Sequence, residues 1–174
     1  MPQDWATISS VACCLGAWFR SVAEPVIRVS VAAIAERAGS FLMVEESIEA
    51  GRRVFNQPAG HLEPGETLLE GVCREVLEET AHRFEPAGLV GLYLYRNPES
   101  HVTYLRVCFH GACVAHDPAR PLDAEIVRAV WLTRAEIVGR SDRLRTPLVL
   151  RCLDDYLAGR RFPLAVIADL AGLP

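Results

Sequence analysis

The chain has 174 residues, 51% of them apolar, which suits one globular domain with a substantial core. Its formal net charge of −4 argues against a nucleic-acid binder that works through a broad basic surface. All 18 basic residues are arginine, so lysine-dependent chemistry, from Schiff bases to P-loop phosphate binding, is excluded.

Taken from the start, residues 1–25 read as an N-terminal extension to a domain over 26–174. The apolar run from Ala6 to Phe19 is too short to span a bilayer and lacks the basic start of a secretory signal. Six cysteines, at 13, 14, 73, 108, 113 and 152, form no Cys-x-x-Cys pair and show no zinc spacing with histidine. Reduced thiols in a cytoplasmic protein without membrane contact are expected.

From Val26 the pattern becomes regular. Val26 to Ala35 and Phe41 to Glu45 predict an antiparallel pair of strands turning at Gly39, and Glu46 to Arg53 a polar loop. Val54 to Gln57 reads as a short strand that delivers the chain into a turn at Gly60. Thr67 followed by Glu70 is a capping-box signature, so a helix should start there, with Leu68, Leu69, Val72, Val76 and Leu77 on its buried side. Pro86 and Gly88 should break the chain before strands Leu89 to Arg96 and Val102 to Val114, with Asn97-Pro98 in the bend. Ile126 to Leu132 predicts a further strand. Thr133 with Glu136 repeats the capping box, and a last helix should run from Pro147 to Ala158, capped by Gly159. This order suggests an α/β fold, a mixed sheet with helices on both faces.

The first predicted helix carries the chemistry. Glu75, Glu78 and Glu79 stand at i, i+3 and i+4, which places three carboxylates on one helix face. Near a protein surface each like-charged pair at about 5 Å costs roughly 3 kcal/mol, and Arg74 relieves only part of that. A hard divalent cation would relieve more, and oxygen donors suit Mg²⁺, or Mn²⁺, rather than zinc. A plain solvated acidic face is the competing reading of the same three residues.

Spacing separates the two. Gly60, five residues, Glu66, seven residues, Arg74-Glu75-Val76, one residue and Glu78-Glu79 together resemble the Nudix box of the Nudix hydrolases. The box normally closes with glycine and an aliphatic residue, where this chain has Ala81 and His82; that departure touches the helix exit, not the carboxylates. Segments around Phe55 to Glu63, Leu105 to Phe109, Leu144 to Val149 and Gly159 to Leu164 extend the resemblance over most of Val26 to Leu170, toward bacterial phosphatases of the family.

The resemblance implies the Nudix α/β/α sandwich and a magnesium-dependent hydrolase of phosphoanhydrides. It assigns Glu75 and Glu79 to the metal and Glu78 to the metal or to a base acting through water. Arg74 and Glu66 become a pair that steadies helix against loop, and Gly60 allows close backbone approach to phosphate or metal. Asp123 or Glu125 is an alternative base. Asn56, Gln57, Tyr93 and Tyr104 are candidate substrate contacts, each with a structural reading in the sheet or core; Tyr95 shares that ambiguity. The implied substrates are nucleoside di- and triphosphates or pyrimidine diphosphates such as thiamine precursors, with release of orthophosphate. Cleavage of ADP-ribose and a non-catalytic ligand-binding module are the alternatives. Either a monomer or a homodimer fits the chain.

Overall fold

The computed structural model describes residues 27–168; the predicted extension 1–25 lies outside them. Strand β1 (Ile27–Arg37) meets β2 (Ser40–Ser47) in a tight hairpin, but the two pair only at Glu36↔Phe41 and Arg37↔Ser40. Beyond that they diverge, and the next segment fills the gap. Strand β3 (Arg53–Asn56) pairs with β2, and three residues later β4 (Ala59–His61) pairs with β1. Residues 56 to 60 therefore cross the mouth of a wedge between two halves of a seven-stranded sheet.

One half has the order β4-β1-β6-β5, with β5 at His82–Arg96 and β6 at Thr103–His116; β1 and β6 run parallel and the remaining pairs antiparallel. The other half places β2 between β3 and β7 (Ile126–Thr133). Helix α1 (Leu68–Thr80) packs on one face and α3 (Leu148–Leu157) on the other, with the short α2 (Arg134–Val138) following β7. The α/β sandwich expected from the sequence is therefore present.

Alternation along β1 feeds both layers. Val31, Ala33 and Ala35 join Val72 and Val76 of α1 in one core, while Ala32 and Ile34 join Val149, Cys152 and Leu153 of α3 in the other. Burying Val72 and Val76 completely contributes about 1.5–3 kcal/mol each, which fixes α1 and hence its polar face. Its start is a full capping box: Glu70 N donates to Thr67 Oγ1 at 3.2 Å and Thr67 N to Glu70 Oε2 at 2.9 Å. Thr133 and Glu136 cap α2 in the same way. Helix α1 ends at Ala81 in the left-handed region, φ 56°, the conformation for which the family pattern uses glycine.

Four expectations need correction. Gly60 lies within β4, not in a turn. Pro86 and Gly88 do not interrupt the chain: β5 starts at His82 and passes them with register shifts, because an edge strand tolerates a missing N–H at a bulge. Glu46 lies in β2 rather than in a loop. Pro147 precedes α3 as its N-cap instead of opening its first turn. Among the described residues, no helix is long and apolar enough to cross a membrane.

Candidate active site

The polar face of α1 closes one side of the wedge. Arg74 is gripped there by three carboxylates. Its Nε and Nη2 donate to the two oxygens of Glu66 at 2.7 and 2.9 Å, and Nη1 donates to Glu75 at 2.8 Å and Glu78 at 3.0 Å. Nη2 also reaches the His61 carbonyl at 3.1 Å, so one guanidinium ties the helix to both the preceding loop and β4. These bonds hold the Glu66 carboxyl below its usual range and push the arginine further up.

Glu75 and Glu79 turn inward, into a cleft of about 420 Å³. Glu79 is only 8% exposed, and its single strong stabilising contact is the Ala59 N–H at 2.9 Å. Burial, with Glu46, Glu75 and Asp123 nearby as like charges, pushes its carboxyl up to about 9. Burial raises Glu75 as well, against the pull of Arg74. Glu75 rests on Gly60, where any Cβ would overlap its carboxylate. The missing side chain at Gly60 therefore makes room for a carboxylate.

Glu46, Asp123 and Glu125 line the same cleft. Glu46 is buried at the end of β2 and is raised mainly by desolvation. Asp123 and Glu125 are exposed on the loop before β7, anchored where Asp123 N donates to the Glu78 carbonyl at 3.1 Å. Among the described residues, no three histidine, cysteine or acidic side chains converge into a ready cage for a metal ion. The donor chemistry still fits a hard cation. Six carboxylates, those of Glu46, Glu63, Glu75, Glu79, Asp123 and Glu125, line the cleft, and the acid-rich side lacks the positive charge needed to ionise Glu79 at neutral pH.

Cationic groups line the cleft too. Arg106 of β6 is buried on the α3 face, at the same level as Ser30 of β1, and Arg145 lies just before α3. Asn56 lines the cleft with its Oδ1 unpartnered, whereas Gln57 turns away: its Nε2 donates to the Val149 carbonyl and its Oε1 accepts from Arg106. Tyr95 and Tyr104 form a wall. Tyr93 does not reach the cleft; it is packed in the α3 core with its hydroxyl donating to Asp155 at 3.0 Å. Glu78 and Arg74, on the helix, and Glu66, in the loop before it, lie outside the lining.

Sequence reasoning missed Glu46, Arg106 and Arg145. The signal for Glu46 is two acids closing an apolar strand, Phe41 to Glu46, every residue of which is buried. Arg106 interrupts the apolar run Leu105 to Phe109 at an inward position, a placement that an unpaired surface arginine would not take.

Comparison with known proteins agrees with this architecture. A family profile described as NUDIX domain matches residues 25–151. Phosphatase NudJ of Escherichia coli strain K12 is 38% identical over 141 residues, covering 81% of this chain and 90% of that protein. Phosphatase NudJ of Shigella boydii serotype 4 is 37% identical over the same coverage. Among solved structures, a NUDIX hydrolase from Nitrosomonas europaea superposes with a TM-score of 0.83 at 45% identity, covering 84% of this chain and 99% of that one.

Proposed function

The chain belongs to the Nudix hydrolase family, and from that premise we propose that it is a divalent-cation-dependent phosphohydrolase. Its proposed substrates are nucleoside di- and triphosphates or a related pyrimidine diphosphate, such as a thiamine precursor, cleaved at the phosphoanhydride with release of orthophosphate. The observation that carries this reading is Glu79: a buried carboxyl, raised to about 9 among other acids, at the floor of an open cleft.

Glu75 and Glu79 are the residues that would hold Mg²⁺ or Mn²⁺. A bound cation of this kind neutralises charge on phosphate oxygens and makes a coordinated water more acidic. Gly60 leaves the space that Glu75 occupies, and the Ala59 N–H fixes one oxygen of Glu79. Arg74 and Glu66 act as positioning residues, because their bidentate pair ties α1 to the loop before it while Arg74 Nη2 holds the His61 carbonyl of β4. Glu78, held by Arg74 at 3.0 Å, lies outside the cleft lining and would have to turn inward to meet a cation. Asp123 and Glu125 already line the cleft, so either can accept a proton from the attacking water without such a rearrangement.

Product identification tests the proposal. Purified protein is incubated with Mg²⁺ and a panel of nucleoside di- and triphosphates, ADP-ribose and a pyrimidine diphosphate, and products are read by phosphorus NMR. Orthophosphate from di- and triphosphates is expected. Monophosphates from ADP-ribose, or pyrophosphate from triphosphates, would replace this reading with a pyrophosphatase. No product from any of them would leave a binding module.

A further inference from the structure

Arg106 is the buried cation of this cleft, and its hydrogen-bonding capacity is largely unmet. It is only 7% exposed, yet among the described residues its Nε has no partner, and its side-chain hydrogen bond is a long one, 3.4 Å from Nη1 to the neutral Gln57 Oε1. Among the described residues, no carboxylate oxygen forms an ion pair with it within 4 Å. Glu45 and Arg74, two other charges removed from solvent, are each closely paired. Glu45 is held by two arginines, Arg128 at 2.7 Å and Arg143 at 2.9 Å, and Arg74 is held by three acids. The buried Glu46 carboxyl faces Arg106 across the cleft without forming an ion pair, so what is unmet is the hydrogen-bonding capacity of the guanidinium, which a ligand oxygen would fill.

The position of Arg106 says where that ligand lies. On β6 it stands level with Ser30 across β1 and with Tyr93 across β5, and its side chain lines the cleft that Glu75 and Glu79 enter from the opposite side. Arg145 stands at the cleft's outer end. Its backbone N–H donates to Phe55 O at 2.8 Å, which fixes it beside β3, and its side chain is 42% exposed with only a 3.5 Å contact to Glu46. Arg145, Tyr95 and Tyr104 also line a second cleft of about 1030 Å³ that continues past Ile48 and Pro98. The two openings thus share a wall formed by Arg145, the rings of Tyr95 and Tyr104, Asn97 and Glu125.

We infer that Arg106, with Arg145 at the rim, is the receptor for a phosphate group of the substrate, leaving the organic end to extend past Tyr95 and Tyr104 into the outer cleft. A guanidinium fork matches two phosphate oxygens, which a point charge would not do as well. Arg106 is accordingly a specificity-determining residue: it selects compounds that carry a second phosphate besides the one held at the carboxylates. This assignment rests on the phosphohydrolase reading for its link to turnover, but not for binding.

The test uses inorganic pyrophosphate and full-length protein in EDTA at low salt, so that neither cation nor catalysis contributes. The Nε–H resonance of Arg106, assigned through R106Q, should shift as pyrophosphate is added to wild-type protein. Calorimetry should show binding weakened at least about tenfold in R106Q and less in R106K, which keeps the charge without the fork. Because a buried substitution can unfold the chain, R145Q serves as the exposed companion, with a smaller loss expected. An unmoved Nε resonance, or equal binding by wild type and both glutamine variants, would overturn the inference. If pyrophosphate binds through Arg106 yet no nucleoside or pyrimidine diphosphate or triphosphate is hydrolysed with Mg²⁺, the proposed function fails while this site stands. If turnover is present and R106Q leaves both KM and pyrophosphate binding unchanged, this site fails alone.

Discussion

Gly60 and Glu75 occupy one space: the carboxylate of Glu75 lies where a side chain at residue 60 would begin. They come from different elements, β4 and α1, so the fit holds only while Arg74 keeps the helix at its present height. The backbone at residue 60 does not require positive φ, so Gly60→Ala should fold. It must displace Glu75, whose proposed role is to hold the cation. Loss of kcat/KM by roughly 10- to 100-fold is expected, with a Tm within a few degrees of wild type. Unchanged kcat/KM for Gly60→Ala would falsify the role given to Glu75.

Glu79 sets a pH dependence whose sign is fixed by its environment. Folding raises this carboxyl from its ordinary value near 4.5 to about 9, so between those limits the folded chain keeps a proton that the unfolded chain gives up. Metal-free stability from this group is full below about 4.5 and declines as pH rises toward 9. Glu79→Gln removes the decline, because glutamine copies the protonated form. In EDTA, urea unfolding at pH 6 and pH 8.5 should show the variant gaining on wild type at the higher pH. With Mg²⁺ present, wild type should release on the order of one proton per ion near pH 7, and Glu79→Gln should lose at least about 100-fold in kcat. A stability difference that does not change with pH would refute the raised carboxyl.

The helix that carries these groups was legible because its signals are local. A capping box, a 3.6-residue apolar stripe and a fixed acidic spacing all lie within Thr67 to Glu79, and each describes contacts between near neighbours in sequence. The β5 bulges were not legible, since Pro86 and Gly88 read as breakers unless β6 is known to run alongside them. The far side of the cleft was hidden for the same reason. Arg106 meets Gln57 across 49 residues, and Tyr93 meets Asp155 across 62, so only the assembled sheet shows that the first faces the cleft and the second faces the core.

Arg74 supplies a test of positioning as distinct from ligation. Its fork holds both oxygens of Glu66, and lysine keeps the charge but not that geometry. Arg74→Lys should destabilise the fold by about 1–2 kcal/mol, a lower figure than a fully buried pair would give because the side chain is partly exposed. For a chain of this size that is a Tm drop of roughly 2–8 °C. Activity should fall further than stability alone explains, since Glu75 and Glu78 lose their shared partner. Glu66→Gln, which leaves those contacts in place, should reproduce part of the stability loss with a smaller effect on kcat.

Two alanines in the left-handed region separate conformational strain from burial. Ala38, φ 50°, precedes Gly39 in the β1–β2 hairpin and is exposed, so its strain is not offset by packing. Both central residues of that turn have positive φ, for which Asn-Gly is the favoured pair. Ala38→Asn should therefore stabilise by about 0.5–1 kcal/mol, read as a Tm rise of roughly 1–4 °C. Ala81, φ 56°, ends α1 in a similar conformation but is only 3% exposed. Glycine there would relieve about 1 kcal/mol of strain and forfeit about 0.8 kcal/mol of buried methyl, so Ala81→Gly should be close to neutral. A large gain at Ala81 with none at Ala38 would mean that strain at the helix exit, rather than burial, governs this junction, and that the departure from the family's glycine is a true cost to the fold.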